Sequence, residues 1–254
     1  MLALASLSGA SDADWARAGA DHADLALLGG LALDADARGA ARDLVARGRE
    51  EFLPADPLAF VDAQLAALDD APIRAGMNVR SATREPVREA AAICAAHDAV
   101  IEINAHCRQD ELRAVGCGET LLRDTDRLAD YVAAAADTGA TVSVKVRAEV
   151  DGVDLPSTAR AVADAGADAI HVDAMDAEPL IADVAAAAPD VFLLANNGVR
   201  DRATAWEYLA YGADGVSVGR PSDDPTVLRR VARAVADWER RRDGDGDIDE
   251  EVPG

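Results

Sequence analysis

Residues 101–122 read IEINAHCRQDELRAVGCGETLL, and the prediction of the fold starts from this stretch. It opens as a short apolar strand with alternating polar positions and then breaks into a loop that contains Cys107. Two glycines, Gly116 and Gly118, precede a helix that we predict to begin near Glu119. A strand that ends at a thiol and a glycine-containing loop is typical of the active-site end of an α/β barrel.

The rest of the chain repeats this alternation of strand and helix. Apolar segments predict eight strands, the fifth of which is an alternation of β-branched residues (TVSVKV), and most of the intervening helices are followed by glycine. The predicted strands are Leu2–Leu7, Asp24–Leu28, Ile73–Val79, Val100–Asn104, Thr141–Val146, Asp168–Val172, Val191–Ala195 and Asp214–Val218. The predicted helices begin near Ser11 and then span Ala35–Arg47, Asp56–Leu68, Glu85–Ala96, Glu119–Thr138, Leu155–Ala165, Glu178–Ala188, Arg202–Tyr211 and Pro225–Arg242.

This order of elements predicts an α/β fold, a single-domain (β/α)8 or TIM barrel over residues 1–242. The alternative is an open doubly wound sheet. Its dinucleotide-binding form requires a G-x-G-x-x-G turn after the first strand, which this chain lacks. The acidic, glycine-rich residues 243–254 predict a disordered tail.

The composition indicates a strongly acidic protein. There are 47 acidic and 25 basic residues, a net charge of −22, and Lys145 is the single lysine. Acidic excess, abundant alanine and scarce lysine favour a halophilic protein, because molar salt shortens the Debye length to about 3 Å and screens self-repulsion. The alternative is a merely acidic protein. The acidity argues against casual binding of nucleic acid, although less so in a halophile.

Three cysteines, Cys94, Cys107 and Cys117, form no C-x-x-C pair or disulfide framework, which favours a reduced cytoplasm. The N-terminus has neither the basic segment nor the long apolar run of a signal peptide. No other apolar run is long enough to span a membrane. We therefore expect a cytoplasmic protein.

The carboxyl ends of the strands face one active site in an α/β barrel. The residues at or just after the predicted strand ends are Ser8, Gly29, Asn78, Asn104 with Cys107, Lys145 with Arg147, His171, Asn197 with Gly198, and Gly219 with Arg220. This set is rich in hydrogen-bond donors and poor in carboxylates, so we do not expect a metal site.

Lys145 and Arg147 alternate along strand five and so point to one face. A lysine inside a barrel is costly without an anionic partner, which favours a functional role; the alternative is a salt-bridged residue at the rim. His171 is predicted to contact a ligand, with a structural role as the alternative.

Asn197-Gly198 and Gly219-Arg220 follow strands seven and eight, where barrels commonly bind phosphate through backbone N–H groups. Ordinary loops are the alternative there. Cys107, flanked by His106 and Arg108, is predicted to donate or accept a proton, with an inert thiol as the alternative; Cys117 could take the same role.

At this point the chain resembles the tRNA-dihydrouridine synthases. The loop from Asn104 to Arg108 and the glycines before Leu121 are similar to their Asn-x-Gly-Cys-Pro … Gly-x-Gly-x-x-Leu-Leu signature. Further similar segments are Leu4–Asp12, Val144–Arg147, Ile170–His171, Asn197–Gly198 and Val218–Arg220. The ordered series is typical of the FMN-dependent TIM-barrel superfamily, which also includes dihydroorotate and dihydropyrimidine dehydrogenases.

The resemblance implies an FMN-dependent oxidoreductase that reduces a pyrimidine C5=C6 bond, with NADPH or NADH as electron donor. It implies that Cys107 protonates C5 and that Lys145 and His171 lie beside the isoalloxazine. It also implies that the FMN phosphate is held by Asn197, Gly198, Gly219 and Arg220. The remaining cofactor contacts are expected from Ser6, Asn78, Asn104 and Arg147.

The chain departs from the family at the cysteine loop, where His106 and Arg108 replace the usual glycine and proline. From the residues beyond 242 we also expect that the helical C-terminal domain with which the family binds tRNA is missing. The chain therefore resembles a short, divergent archaeal member of the family. The flavin chemistry therefore carries over from the resemblance better than the tRNA substrate does. The resemblance implies uridine in tRNA as the substrate, with a free pyrimidine or other small molecule as the alternative. A third hypothesis is a non-catalytic barrel that binds flavin or phosphate. The oligomeric state is not predicted.

Overall fold

A computed structural model describes residues 1–242 and residue 244. Eight parallel strands form a closed barrel in sequential order, with β8 pairing back onto β1. The strands are β1 (Leu2–Leu4), β2 (Leu25–Ala32), β3 (Arg74–Arg80), β4 (Val100–Asn104), β5 (Thr141–Arg147), β6 (Ala169–Asp173), β7 (Phe192–Asn196) and β8 (Gly215–Val218). The predicted (β/α)8 barrel is confirmed. The predicted tail lies outside the described residues, apart from Gly244.

Helices surround the barrel. They are α1 (Ala13–Gly19), α2 (Ala35–Ala46), α3 (Pro57–Ala66), α4 (Arg84–Ala96), α5 (Asp110–Ala114), α6 (Glu119–Leu122), α7 (Thr125–Ala136), α8 (Leu155–Asp164), α9 (Leu180–Ala187), α10 (Arg202–Ala210) and α11 (Pro225–Arg242). A short 3-10 helix, Arg220–Asp223, follows β8. Among the residues that the structure describes, no helix is both long and apolar enough to cross a membrane.

Aspartates determine where many of these helices begin. A side-chain carboxylate accepts a hydrogen bond from a first-turn N–H at the residues Asp12, Asp34, Asp56, Asp124, Asp154 and Asp201. Each cap of this kind stabilises a helix by about 1 kcal/mol. Part of the acidic excess of the sequence is therefore used for helix starts.

Several predicted boundaries were wrong. Strand one ends at Leu4 and not at Leu7, and the short helix α5 was not predicted. The helix expected over 119–138 is divided into α6 and α7, because Asp124 leaves the helix and caps α7 by accepting from the N–H of Arg127. Strand two does not stop at Gly29-Gly30. It continues to Ala32 through an irregularity in which both glycines adopt positive φ angles.

Successive side chains on each strand point to opposite faces of the sheet. One face carries apolar side chains, and the other carries polar side chains that point into the barrel. On β5, Val142, Val144 and Val146 belong to the main hydrophobic core, whereas Ser143 and Lys145 are buried polar residues. The same separation on β3, β4, β6 and β8 places most of the buried polar side chains at the centre of the barrel.

The irregularity in β2 predicts a difference between two glycines with nearly equal φ. A Cβ on Gly29 (φ +88°) would lie 2.7 Å from the Asn78 carbonyl oxygen, whereas a Cβ on Gly48 (φ +83°) would meet no atom within 4 Å. Gly29→Ala should lower the free energy of unfolding by about 2–4 kcal/mol and Gly48→Ala by about 1 kcal/mol. Chemical unfolding of both variants measures this, and equal losses would show that β2 tolerates a side chain there.

Candidate active site

The site is built around Glu102, a fully buried carboxylate on β4. Its oxygens accept hydrogen bonds from Asn78 Nδ2 (2.6 Å), His171 Nδ1 (2.7 Å) and Ser143 Oγ (3.3 Å). Asn104 Nδ2 in turn donates to Asn78 Oδ1 at 2.9 Å. Residues from four consecutive strands, β3 to β6, therefore converge on one carboxylate.

The hydrogen bonds continue from His171 towards β7 and β8. With Nδ1–H donated to Glu102, His171 Nε2 accepts from Ser217 Oγ at 2.8 Å. Ser217 Oγ accepts from Asn196 Nδ2 at 2.7 Å. Because each group has one donor role and one acceptor role to fill, this chain of bonds fixes the neutral tautomer of His171.

The charges in this network are set by burial and by Lys145. Burial lowers the pKa of His171, and repulsion from Lys145 lowers it further, which outweighs the attraction of Glu102. Burial would raise the pKa of Glu102, but His171, Lys145 and Asn78 together lower it. The network at neutral pH therefore contains a carboxylate, a neutral imidazole and a nearby ammonium.

Lys145 is a buried cation without a partner of its own. Its side chain is on β5 and is 3% exposed. Within residues 1–242 its ammonium group has neither a hydrogen-bond acceptor nor a carboxylate oxygen within 4.0 Å, and it lines the main cavity of the barrel. A buried ammonium normally requires such a partner, so Lys145 faces the cavity with its charge unmatched at close range.

The cavity lies at the carboxyl ends of the strands and has a volume of about 720 Å³. Loops after β1, β4, β6, β7 and β8 form its walls. Its polar and charged lining residues are Ser6, His106, Arg108, Lys145, Arg147, Asp173, Asn196, Asn197, Arg200, Ser217 and Arg220. One carboxylate among five cationic side chains makes this cavity suited to an anion.

Arg147 and Asp173 form the rim beside β5 and β6. Arg147 Nη1 lies 3.3 Å from Asp173 Oδ2, and Asn197 Nδ2 donates to Asp173 Oδ1 at 2.8 Å. Asn197 is held with φ +96°, an unusual value for a residue other than glycine. Asp173 thereby positions both an arginine and the loop that follows β7.

The cysteine loop is held by hydrogen bonds at both ends. Asn104 Oδ1 accepts from the backbone N–H of Cys107 at 3.2 Å, and the Cys107 carbonyl accepts from the N–H of Glu119 at 2.9 Å. Gly118 has a positive φ, and a Cβ there would collide with the Cys107 carbonyl. The glycine before α6 is thus required by the cysteine loop.

The thiol of Cys107 lies beside Arg80 and is not among the groups that line the cavity. Arg80 is buried at the end of β3, forms a 2.6 Å ion pair with Glu51 and donates to Ser8 Oγ. Burial opposes the charge of Arg80, but Cys107 and Glu51 together raise its pKa. The neighbours of Cys107, His106 and Arg108, are the residues that reach the cavity.

The other two thiols are enclosed. Burial raises the pKa of Cys94 to about 12, and burial together with Asp34 raises that of Cys117 to about 12. Cys117 is packed with Leu44 and Leu112 in a small apolar cluster that also contains Cys107. All three cysteines are free.

The structure brings most of the predicted site residues together. Seven line the cavity: Ser6, Lys145, Arg147, Asn197, Gly198, Gly219 and Arg220. Asn78, Asn104 and His171 belong to the buried network around Glu102, and Cys107 lies apart from both, beside Arg80. In the described part of the chain, no three His, Cys, Asp or Glu residues are grouped as metal ligands.

Sequence reasoning missed several members of the site. The residues that were not predicted are Glu102, Ser217, Asn196, Arg80 and Glu51. Period-two alternation was a usable signal for both Glu102 and Ser217, since Glu102 shares a strand face with Asn104 and Ser217 lies between two apolar residues, Val216 and Val218. No sequence signal connected Glu51, in the loop before α3, with Arg80.

The fold and the cavity define a (β/α)8 barrel with a cationic site at the carboxyl ends of its strands. A sequence model described as dihydrouridine synthase (Dus) matches residues 70–244. The chain belongs to the dihydrouridine synthase family, which confirms the resemblance and supports an oxidoreductase.

Other proteins are similar to this chain over most of its length. An uncharacterized protein from Methanocaldococcus jannaschii is 27% identical over 92% of this chain and 90% of its own. DHODH from Eimeria tenella, solved in complex with ferulenol, is 14% identical with a TM-score of 0.69, covering 95% of this chain and 82% of that one. A FabK mutant from Thermotoga maritima is 15% identical with a TM-score of 0.58, covering 87% and 61%. The two structural similarities show the fold alone.

The half-buried His106 predicts a pH dependence of stability. Burial lowers the pKa of the cavity-lining His106 well below its ordinary value, and repulsion from Lys145 adds to this. Below about pH 6.5 the unfolded chain therefore binds more protons than the folded protein does. The free energy of unfolding should decrease as the pH is lowered, by about 1.4 kcal/mol per pH unit for one histidine. His106→Gln should remove that part of the slope in unfolding measurements between about pH 6.5 and about pH 5.

His97 provides a control of opposite sign. Hydrogen bonds to Asp62 and Asp69 raise its pKa, so its stabilising contribution is complete below about pH 6.5 and is lost at higher pH. His97→Gln should leave the slope below pH 6.5 unchanged. An unchanged slope in His106→Gln would show that this imidazole is protonated in the folded protein.

Proposed function

We propose that this protein is an FMN-dependent oxidoreductase that reduces the C5=C6 bond of a pyrimidine, with uridine in tRNA as its substrate. The observation that carries the proposal is Lys145, a buried and unpartnered ammonium group facing a cationic cavity in a member of the dihydrouridine synthase family. NADPH or NADH would supply the electrons.

The inner part of the cavity fits the ring system of FMN. A reduced flavin carries negative charge, and a fixed cation beside the ring stabilises it. Lys145, which is next to His171 in strand register, would take this role. Its attraction to Glu102 holds the ammonium group in place without a direct ion pair. FMN, when bound, would supply the hydride for the pyrimidine ring.

The outer part of the cavity fits a phosphate. In the part of the chain that the structure describes, the backbone N–H groups of Gly198 and Gly219 have no acceptor. A Cβ on Gly219 would meet no atom within 4 Å, so internal packing does not demand glycine there. Arg200 and Arg220 are exposed beside these glycines and would add charge-assisted contacts.

Cys107 would donate the proton that completes the reduction. Asn104 holds the backbone of its loop, and Arg80 holds the thiol outside the cavity lining. Donation to a substrate therefore requires the thiol to turn from Arg80 towards the cavity.

His106 and Arg108 are placed to select the substrate, since both line the cavity where the family has glycine and proline. The lowered pKa of His106 keeps its imidazole neutral at neutral pH, so it would offer one donor and one acceptor to a base. Arg108 is exposed and would meet an anionic part of the substrate. We expect the reaction to take place in the cytoplasm, where thiols such as those of this chain stay reduced.

Lys145→Gln tests the cofactor site. Loss of the ammonium group should raise the dissociation constant for FMN at least tenfold, which is about 1.4 kcal/mol. Fluorescence titration of the apoprotein with FMN measures this. Arg160→Gln removes one positive charge from the exposed face of α8 and is the control. Equal affinity in wild type and Lys145→Gln would contradict the assignment.

Cys107→Ala and Cys117→Ala form a matched pair for the acid. Cys107→Ala should bind FMN and accept electrons from NADPH normally but lose reduction of uridine in a tRNA transcript about 100-fold or more. Cys117→Ala should retain it. Dihydrouridine formation is measured on the transcript and on free uridine in parallel. Full activity of Cys107→Ala would reject its role, and reduction of free uridine alone would reject tRNA as the substrate.

A further inference from the structure

A second groove, on the outside of the barrel, lies between α10 and α11. It has a volume of about 320 Å³, and its lining residues are Arg202, Thr226, Arg229, Arg230, Arg233, Ala234 and Asp237. We call it the arginine groove. Its four arginines are all exposed. Four guanidinium groups around one depression in so acidic a chain require an explanation.

These guanidinium groups are not neutralised by the protein. Among the described residues no carboxylate oxygen lies within 4.0 Å of any of them, and Asp237 pairs instead with Arg240. Arg202 stacks on the ring of Trp206 at 3.9 Å, and that contact leaves its charge unpaired. Arg229 and Arg233 make no hydrogen bond or ring contact within the same part of the chain.

Basic and acidic residues are unevenly distributed along the sequence. Residues 197–242 contain nine arginines and seven carboxylates, whereas residues 1–196 contain sixteen basic and 34 acidic residues. A uniformly acidic surface would be sufficient for solubility. The reversal of sign lies on α11, where six arginines accompany two carboxylates, and it marks the arginine groove as a surface for an anionic partner.

The arginine groove is joined to the catalytic cavity. Arg230 Nε donates to the carbonyl oxygen of Arg200 at 2.8 Å, and Arg200 Nη1 donates to the carbonyl of Gly198 at 3.0 Å. Arg200, Gly198 and Arg220 all line the cavity. Arg200, which also lies 3.8 Å from Asp201, and Arg230 thus connect the cavity with the outer helices.

We propose that the arginine groove binds successive phosphates of an RNA chain whose target uridine occupies the cavity. This inference rests on the proposed function for the nature of the base. Arginine suits the role because its planar guanidinium can form two parallel hydrogen bonds to one phosphate. The arginines are distributed over two helices, which fits a polymer with several phosphates better than a single phosphate. The groove adjoins the cavity that would hold the base, which favours RNA over an acidic protein.

The test compares two double variants of the full chain that lose the same charge. Arg229→Gln/Arg233→Gln alters the groove. Arg42→Gln/Arg160→Gln alters exposed arginines on α2 and α8 that have no ion pair in the described residues. Fluorescence anisotropy measures binding of a labelled tRNA transcript over a series of salt concentrations.

The groove variant should bind the transcript at least tenfold more weakly at low salt. The slope of log K against log salt should be smaller by about 1.4–1.8, the value for two lost phosphate contacts. The control variant should match the wild type. FMN content, measured on the same samples, should be equal in all three proteins.

Equal affinities in the two double variants would overturn the inference, as would a wild-type protein that binds no transcript. Polyglutamate that competes with the transcript at equal charge concentration would assign the groove to an acidic protein instead, and would also overturn it. Absence of FMN from all three proteins would reject the proposed function, while the comparison of RNA affinities would still decide the role of the groove.

Discussion

The structure depends on one buried carboxylate at the centre of the barrel. Glu102 is fully enclosed, so its charge must be compensated by groups that the strands bring to it. Asn78, Ser143 and His171 supply hydrogen bonds from β3, β5 and β6, and Lys145 supplies opposite charge. Removing the carboxylate would leave these donors without an acceptor and Lys145 without its counter-charge.

The position of the reactive groups follows from this arrangement. Lys145 is attracted to Glu102 but is free of a direct ion pair, so its charge remains available to the cavity. Asn104, which is bonded to the same network, fixes the loop that carries Cys107. The buried network therefore connects the cation beneath the cavity with the cysteine loop beside it, and neither position is set by surface contacts.

The barrel could be predicted from sequence because each strand and helix has a local signal, such as the β-branched residues of β5 and the proline at the start of α11. The break between α6 and α7 was missed because a single capping aspartate, Asp124, interrupts an otherwise continuous helical pattern. Seven of the cavity residues could be predicted, and most of these, such as Lys145 and Arg147, are at or just after strand ends. The ion pair between Arg80 and Glu51 could not, since residues far apart in sequence meet only through the closed fold.

The central claim is that this barrel holds FMN over Lys145. The most direct measurement is the visible absorption spectrum of the purified full-length protein, followed by denaturation and identification of the released molecule. The account predicts a flavin spectrum and the release of FMN in an amount equimolar with the protein. A colourless protein that takes up no FMN on reconstitution would contradict it.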